Sequence, residues 1–318
     1  MSPAAKVSRA SSHHHDGDSA LSLDRNGRFS WRSLEPPAPA QPSHNHDDET
    51  TTTAVTTTAP PVTQDPTTEA PTTVAPPVTD PPTTATTTPP TSAAPGGQLI
   101  FDDEFNGTSL NTSVWQPNWL SSNNTDITKP VNSEEVSCYD PSQVSEPGDG
   151  YLHLDAVKRS CTANNGQTYQ YASGLVNTYH SFTFTYGHME ARMWLQPGSG
   201  GAADWPAFWA AGTGVWPITG ELDVMEGLGG PDCFHFHSPL GGPGTCANLA
   251  DASGWHTFGA DWSPGQVTYT YDGNVVGTIT TGITSAPMYL ILNLWINGNH
   301  PITAPATTLV DYVRVWKN

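Results

Sequence analysis

A long stretch rich in threonine and proline divides the chain and confines any compact fold to the residues on its C-terminal side. From Glu49 to Pro95 the sequence is almost entirely Thr, Pro, Ala and Val, without a periodic apolar pattern. Such a segment cannot bury enough apolar surface to offset the entropy lost on ordering it, and its prolines favour an extended spacer. Residues 1–48 are polar apart from isolated apolar positions. We therefore predict a disordered tail over 1–48 and a linker over 49–97.

The C-terminal segment, residues 98–318, is long enough to bury a core unaided, and we expect it to fold as one domain. It contains all four cysteines of the chain, and none of them forms a CxxC pair, which favours disulfides over zinc ligation. Among the three ways of pairing four cysteines, we predict the two local bonds, Cys138–Cys161 and Cys233–Cys246. Such bonds indicate an oxidising compartment.

The charge of the chain limits its partners. It has 11 Lys and Arg residues against 30 Asp and Glu residues, which gives a formal net charge of -19 at pH 7. Nucleic acids and anionic membrane surfaces would repel such a chain, so we expect neither as a partner. No apolar run is long enough to span a membrane, and no apolar segment typical of a signal peptide comes after Met1. The paired cysteines still favour an extracellular protein, and we expect a monomer.

The C-terminal segment has the pattern of an all-β domain. Tyr151–Val157 and Thr308–Trp316 alternate apolar and polar residues, as half-buried strands do. Val267–Thr280 contains an Asp-Gly pair between two strand-like runs, which is the strongest hairpin signal in the chain. Met288–Trp295 is a short, continuous apolar run, typical of a strand buried on both faces. Since no stretch shows a convincing helical period, we predict a two-sheet β-sandwich.

One strand-like segment carries three carboxylates. Side chains alternate between the two faces of a strand, so Glu221 and Asp223 share one face. Strict alternation would turn Glu226 towards the core, where a carboxylate is untenable. One extra residue, a β-bulge near Val224-Met225, would return Glu226 to the face of the other two acids. We therefore predict a bulged strand with three carboxylates in a row.

Three carboxylates this close cannot all ionise easily, and their repulsion raises the pKa of at least one of them. Such a split suits a pair in which one acid is a nucleophile and another is a general acid and base. Two carboxyls about 5–5.5 Å apart are typical of a retaining glycosidase. A metal site and incidental surface charge are the alternatives that the spacing leaves open.

Tryptophans stand just upstream of this strand. Trp205 and Trp209 belong to the sequence WPAFW, and flat aromatic faces beside an acidic cleft are typical of sugar-binding grooves. Core packing explains a tryptophan equally well, because the side chain is large and apolar. Both interpretations stay open for these two residues.

The C-terminal segment resembles family 16 of the glycoside hydrolases, the laminarinase and lichenase group. The resemblance covers essentially all of residues 98–318 and rests on several segments in the order of the family. They are Phe101–Phe105, Glu134–Tyr139 (where Glu134 and Cys138 depart from the pattern), Ser173-Gly174, Tyr186–Arg192, Trp205–Trp209, Gly220–Glu226 and Asp311–Trp316. It implies a β-jelly-roll sandwich of the concanavalin A type, with an open sugar cleft on its concave face.

The resemblance also implies a reaction. Glu221 corresponds to the nucleophile, Glu226 to the general acid and base, and Asp223 to the residue that orients Glu221. The expected activity is endo-acting hydrolysis of β-1,3- or mixed β-1,3/1,4-glucans by a retaining double displacement. The expected partner is the polysaccharide itself, and no cofactor is required.

Further residues match family positions around the cleft. The resemblance implies substrate contacts for His237, Arg192, Asn293, Trp295 and Glu135, in addition to Trp205 and Trp209. A structural histidine and a structural salt bridge are the alternatives for His237 and Arg192. Trp295 stands where a smaller residue is commoner. Asp311 matches a position that, in several members, helps to bind a structural calcium ion.

Other functions on the same scaffold stay open. A non-catalytic β-glucan-binding protein would keep the fold but lack the glutamates, and all three carboxylates are present in this chain. A transglycosylase would share the chemistry but use a sugar as acceptor. A galactan hydrolase would differ in the shape of its cleft, and the acidity of the domain disfavours sulfated substrates.

Overall fold

A computed structural model of the chain describes residues 19–23, 29–33, 97–247, 249 and 251–317. The chain divides into two compact units, Met1–Thr79 and Asp80–Asn318. In the first unit, strands β1 (Ser19–Leu23) and β2 (Phe29–Ser33) form an antiparallel hairpin that the predicted disordered tail did not include. In β2 the apolar residues Phe29 and Trp31 alternate with polar ones, which is typical of a strand, and in β1 Leu21 and Leu23 stand on either side of Ser22. The remaining predictions for the tail and the linker lie outside the described residues.

The second unit consists of strands joined by turns and loops, with one turn of 3-10 helix at Pro141–Gln143. In chain order the strands are β3 (Gln98–Asp103), β4 (Ser137–Tyr139), β5 (Val144–Ser145), β6 (Leu152–Val157), β7 (Cys161–Thr162), β8 (Thr168–Tyr169), β9 (Tyr171–Ser173), β10 (Leu175–Asn177), β11 (Gly187–Leu195), β12 (Pro197–Gly198), β13 (Gly201–Ala202), β14 (Trp205–Gly212), β15 (Glu221–Gly227), β16 (Asp232–His237), β17 (Gly244–Cys246), β18 (Gly254–Ser263), β19 (Gln266–Tyr271), β20 (Asn274–Ile279), β21 (Met288–Trp295) and β22 (Ala306–Lys317).

Most of these strands form two sheets. The six-stranded sheet has the order β10-β21-β14-β15-β16-β17, and the ten-stranded sheet has the order β20-β19-β18-β11-β22-β6-β9-β4, with β3 added to β22 and β5 to β6. The pairs are antiparallel except for β4 with β9. The Asp272-Gly273 turn joins β19 and β20, and both of its residues have positive φ, as a two-residue hairpin turn requires. The predicted all-β sandwich is confirmed.

The main core lies between the two sheets. Alternate residues of the half-buried strands point into it, as in β6, where Leu152, Leu154 and Ala156 are buried while their neighbours are partly exposed. The largest side chains in it, among them Trp115 and Trp262, are fully buried. Each such side chain contributes roughly 1.5–3 kcal/mol through burial. This core fixes the position of the strands that carry the acids.

The six-stranded sheet is also buried on its outer face. Along β14, Phe208 and Ala210 belong to the main core, whereas Trp205, Trp209 and their neighbours form a second cluster on the opposite face. The second cluster, which we call the outer cluster, consists of Tyr139, Leu175, Trp205, Ala207, Trp209, Ala211, Tyr289 and Ile291. Loop residues such as Trp119 and Tyr179 pack against it. The outer cluster lines the surface beside the carboxylate strand.

Two disulfides link the predicted cysteine pairs. Cys138 is bonded to Cys161 across 23 residues, and Cys233 to Cys246 across 13 residues. The second bond joins β16 to β17 at directly opposed positions, so it fixes the edge of the six-stranded sheet. Both predicted bonds are confirmed. Over the residues that the structure describes, no helix has the length and apolar character to cross a membrane.

Candidate active site

A β-bulge shapes the strand that carries the three acids. Asp223 lies opposite His235 and Glu226 lies opposite Cys233, so two residues of β15 face one residue of β16. The register with β14 shifts at the same place, and Val224 has no register partner on either neighbouring strand. Val224 and Met225 are both fully buried in the main core although they are consecutive. The predicted bulge is confirmed.

The bulge brings the carboxylates together on the outer face of the six-stranded sheet. A carboxylate oxygen of Asp223 lies within 4.8 Å of one from Glu221, and the same limit holds for Asp223 and Glu226. Glu221 and Glu226 are partly exposed, whereas Asp223 is only 4% exposed. The central acid is therefore enclosed, and its two neighbours face the open side of the sheet.

The surroundings of the acids disfavour their charged forms. Burial raises the pKa of Glu221 to about 8, and the charge of Glu226 acts in the same direction. Burial also raises the pKa of Asp223 well above its ordinary value, with the charges of Glu221 and Glu226 adding to the effect. Asp223 Oδ2 has no hydrogen-bond partner that would offset this cost. The cluster therefore retains protons at neutral pH.

Two histidines of β16 contact the acids. His235 Nδ1 lies 2.7 Å from Glu226 Oε2, and His237 Nε2 lies 3.4 Å from Asp223 Oδ2 and 3.9 Å from Glu221 Oε1. Burial lowers the pKa of His237, so this ring is neutral at pH 7. His235 is therefore within hydrogen-bonding distance of Glu226, and His237 makes longer polar contacts with the other two acids.

A glycine loop lies against both histidine rings. A Cβ atom on Gly242 would collide with the ring of His237, and one on Gly244 would collide with the ring of His235. The bond Cys233–Cys246 closes the loop that contains both glycines. Only glycine fits these two positions without displacing the rings.

A hydrogen-bonded network crosses the outer cluster. Trp209 Nε1 donates to Asn293 Oδ1 at 2.7 Å, and Asn293 Nδ2 lies 3.2 Å from the hydroxyl of Tyr139. Glu135 is buried nearby, and its Oε1 accepts from the backbone amides of residues 131 and 132. Burial raises the pKa of Glu135 to about 7 despite these bonds. Two of the residues predicted to bind substrate, Trp209 and Asn293, therefore belong to one network.

Two further tryptophans stack on each other beyond this network. The rings of Trp205 and Trp295 have centroids 4.0 Å apart and planes inclined by 22°. The indole N–H groups of both residues are buried without a hydrogen-bond partner. The stacked rings belong to the neighbouring strands β14 and β21, and Trp295 is the more exposed of the two.

Arg192 and Asp311 lie away from this site. Both belong to strands of the ten-stranded sheet, where Arg192 Nη1 lies 2.7 Å from Asp311 Oδ2. The guanidinium also stacks over the ring of Trp255 at 4.3 Å. Arg192 therefore forms a structural salt bridge and does not line the site of the acids, where a substrate contact was predicted. Asp311 thus has a cationic partner at one carboxylate oxygen, and its role in binding calcium stays a prediction.

The sets of side chains suited to a metal lie at the acids instead. Among the described residues, His237 with Glu221 and Asp223, and His235 with Asp223 and Glu226, have ligand atoms within 4.8 Å of one another. Neither set includes Asp311. Imidazole and carboxylate ligands suit zinc or copper better than calcium, which prefers oxygen ligands alone.

Trp216 lies near the acids but was not among the site residues predicted from the sequence. It stands in the loop before β15, is 48% exposed, and acts to lower the pKa of Glu221 against the effect of burial. Its ring also lies 6.3 Å from that of His237. Its position shortly before Glu221, next to a proline, was the available signal.

Two glutamates flanking a buried aspartate, on a β-sandwich face lined with indole rings, define a protein of the glycoside hydrolase class. A comparison with known families identifies the family within this class. Residues 132–314 match the family described as glycosyl hydrolases family 16, and the chain belongs to this family.

Relatives of known name agree with this membership. The chain is 31% identical over 269 residues to the glucan endo-1,3-beta-glucosidase A1 of Niallia circulans, covering 72% of this chain and 39% of the relative. It is 32% identical over 243 residues to the endo-1,3-1,4-beta-glycanase EglC of Rhizobium meliloti, covering 68% of this chain and 51% of the relative. The chain thus spans about two fifths to one half of the length of these curated relatives.

The solved structures show the same fold. The catalytic domain of an endo-1,3-beta-glucanase (laminarinase) from Thermotoga petrophila superimposes with a TM-score of 0.60 at 24% identity, covering 70% of this chain and 98% of that domain. The endo-beta-1,3-glucanase of Pyrococcus furiosus superimposes with a TM-score of 0.58 at 25% identity, covering 70% of this chain and 94% of that enzyme. The jelly-roll sandwich expected from the resemblance is confirmed.

Proposed function

We propose that the protein is a retaining endo-β-glucanase that hydrolyses β-1,3- or mixed β-1,3/1,4-glucans outside the cell. The observation that carries the proposal is the bulged strand, which holds Glu221, Asp223 and Glu226 on one open face. Retaining glycosidases need two such carboxyls within reach of one anomeric carbon. The activities named for the two curated relatives support the β-glucan substrate, and the two disulfides support an extracellular location.

The reaction proceeds in two displacements. Glu221 attacks the anomeric carbon and forms a covalent glycosyl ester, while protonated Glu226 transfers its proton to the oxygen of the leaving sugar. Glu226, now ionised, takes a proton from water, and the resulting hydroxide displaces Glu221 from the same carbon. Two inversions restore the original configuration, and Glu226 regains its proton.

The raised pKa values of the cluster fit these roles. Asp223 retains its proton because it is buried between two acids, so it is able to donate a hydrogen bond to the ionised form of Glu221. Positive charge develops at the anomeric carbon as the glycosidic bond breaks, and this charge favours the ionised form of Glu221 in the transition state. Glu226 is partly exposed on the same open face, and it supplies the proton that the leaving oxygen requires.

We also propose that the catalytic domain comprises residues 98–318 and that the outer cluster binds the sugar chain. Strand β3 begins at Gln98 and pairs with β22, which supports the N-terminal boundary. The partly exposed ring of Trp295, stacked on that of Trp205, supports a role in packing against the apolar face of a sugar ring.

The test is a substrate panel with the full chain. Laminarin, lichenan, xyloglucan, xylan, agarose and keratan sulfate are incubated with the protein, and released reducing ends are measured. We expect activity on laminarin or lichenan, with medium-length oligosaccharides as early products and the β anomer formed first by NMR. Glu221→Gln and Glu226→Gln are expected to abolish hydrolysis while the circular dichroism spectrum is unchanged. Binding of glucan without hydrolysis by the wild type would instead indicate a carbohydrate-binding protein.

A further inference from the structure

A tyrosine of the ten-stranded sheet contacts the β-bulge of β15 from the core side. Tyr271 ends strand β19 of the ten-stranded sheet and is only 1% exposed. Its ring packs edge-on against Phe258, with centroids 4.8 Å apart, so the side chain has a fixed direction. Its hydroxyl lies 2.9 Å from the carbonyl oxygen of Val224 and 3.1 Å from that of Cys233. The side chain thus spans the core between the two sheets.

These two carbonyls lie at the irregularity of the β15–β16 pairing. Val224 is the residue without a register partner on either neighbouring strand, and Cys233 is opposite Glu226. A bulge disrupts the hydrogen bonds of the strand ladder, and a buried carbonyl without a partner is costly. Burial raises the pKa of Tyr271 well above its ordinary value, so the hydroxyl keeps its proton and acts as a donor.

We propose that Tyr271 is a positioning residue that holds the bulge in place and thereby sets the distance of Glu226 from the reacting glycosidic oxygen. The inference rests on the proposed function, because it assigns Glu226 to proton transfer. Tyr271 itself does not touch the substrate. It acts through the backbone of Val224, which is two residues from Glu226 along the same strand.

The experiment compares two leaving groups in the Tyr271→Phe variant of the full chain. Cleavage of a β-glucan requires a proton from Glu226, whereas a 2,4-dinitrophenyl glycoside of a β-glucan disaccharide leaves without protonation. We expect kcat/KM on the β-glucan to fall by about tenfold to a hundredfold, as displaced catalytic groups typically cause. We expect kcat/KM on the activated glycoside to fall by less than about threefold, because Glu221 keeps its position.

Tyr269→Phe is the matched control. Tyr269 lies two residues earlier on the same strand, is fully buried, and donates to the carbonyl of His235 at 2.7 Å. This acceptor belongs to the last regular pair before the bulge, in which His235 lies opposite Asp223. We expect a similar loss of thermal stability from Tyr269→Phe but no selective loss on the β-glucan.

The outcomes separate the two hypotheses. A wild type without activity on any polysaccharide or on the activated glycoside would overturn the proposed function. An active wild type with equal losses on both substrates in Tyr271→Phe, or equal losses in the two phenylalanine variants, would overturn only the role of Tyr271. Rates are corrected for the folded fraction measured by near-ultraviolet circular dichroism. If Tyr271→Phe is largely unfolded at room temperature, the same two-substrate comparison in the cold decides the question.

Discussion

Replacement of Asp232 by asparagine should leave the stability of the protein nearly unchanged at acid pH and increase it above neutral pH. Asp232 begins β16 opposite Gly227, is fully buried, and has no hydrogen-bond partner for either carboxylate oxygen. Burial raises its pKa to about 7, and the charges of Asp272 and Asp251 act in the same direction against that of His256. The folded protein therefore holds this proton more tightly than the unfolded chain does.

The size of the pKa shift sets the magnitude. The pKa of Asp232 rises from its ordinary value of 3.8 to about 7. Since each pKa unit corresponds to about 1.36 kcal/mol, the contribution of this group to the free energy of unfolding changes by at most about 4 kcal/mol. A carboxyl whose pKa is raised on folding favours the folded state below its unfolded pKa, and this contribution is lost as the pH rises through the folded pKa. The wild type should therefore lose up to about 4 kcal/mol from this group between about pH 4 and pH 8.

The asparagine variant does not titrate, and its amide is buried without partners just as the protonated carboxyl is. Asp232→Asn should therefore be about as stable as the wild type at about pH 4 and more stable at about pH 8. Urea denaturation of the full chain, monitored by tryptophan fluorescence at several pH values, measures the difference. Asp251→Asn is the exposed control, for which we expect no gain of this size. A difference between wild type and Asp232→Asn that stays constant across this pH range would refute the reasoning.

Three further predictions concern the active site. Glu226→Gln removes a negative charge beside Glu221, so the pKa of Glu221 should fall below about 8; the acid limb of kcat/KM for an activated aryl glycoside should move to lower pH, and an unmoved limb would contradict the coupling. Asn293→Ala removes the acceptor that holds the ring of Trp209; we expect about 1–3 kcal/mol less stability and a larger rise in KM than fall in kcat, measured on laminarin. Gly244→Ala inserts a methyl group against a histidine ring and a backbone carbonyl; kcat should fall by about tenfold, and a variant with normal kcat would show that the loop yields freely.

The bulge in the strand that carries the acids was predictable because a glutamate could not occupy a position in the apolar core. Strict alternation would have buried Glu226, and the cost of a buried carboxylate required the extra residue that the structure has at Val224. The hairpin at Asp272-Gly273 was equally predictable, since both positions need positive φ. In both cases the requirement concerns only residues that are adjacent in the sequence, so the sequence alone is sufficient to show it.

Contacts between sheets were not predictable in this way. Arg192 was expected at the cleft because its segment matches the family pattern, but its strand belongs to the ten-stranded sheet and its charge is paired with Asp311. The bond from Tyr271 to Val224 joins residues that are 47 positions apart. Alternation gives the face of a strand that a side chain occupies, but it does not tell which strand of the other sheet lies opposite.

The bulge has an evolutionary consequence, since it is a single residue. Loss of the codon for Val224 would leave Glu-Leu-Asp-Met-Glu, in which simple alternation already places Glu226 on the face of Asp223. Such a deletion would remove the bulge while all three acids stay on the outer face and Met225 stays in the core. A regular and a bulged version of this strand are therefore one codon apart, and a lineage can pass between them without exchanging an acidic side chain.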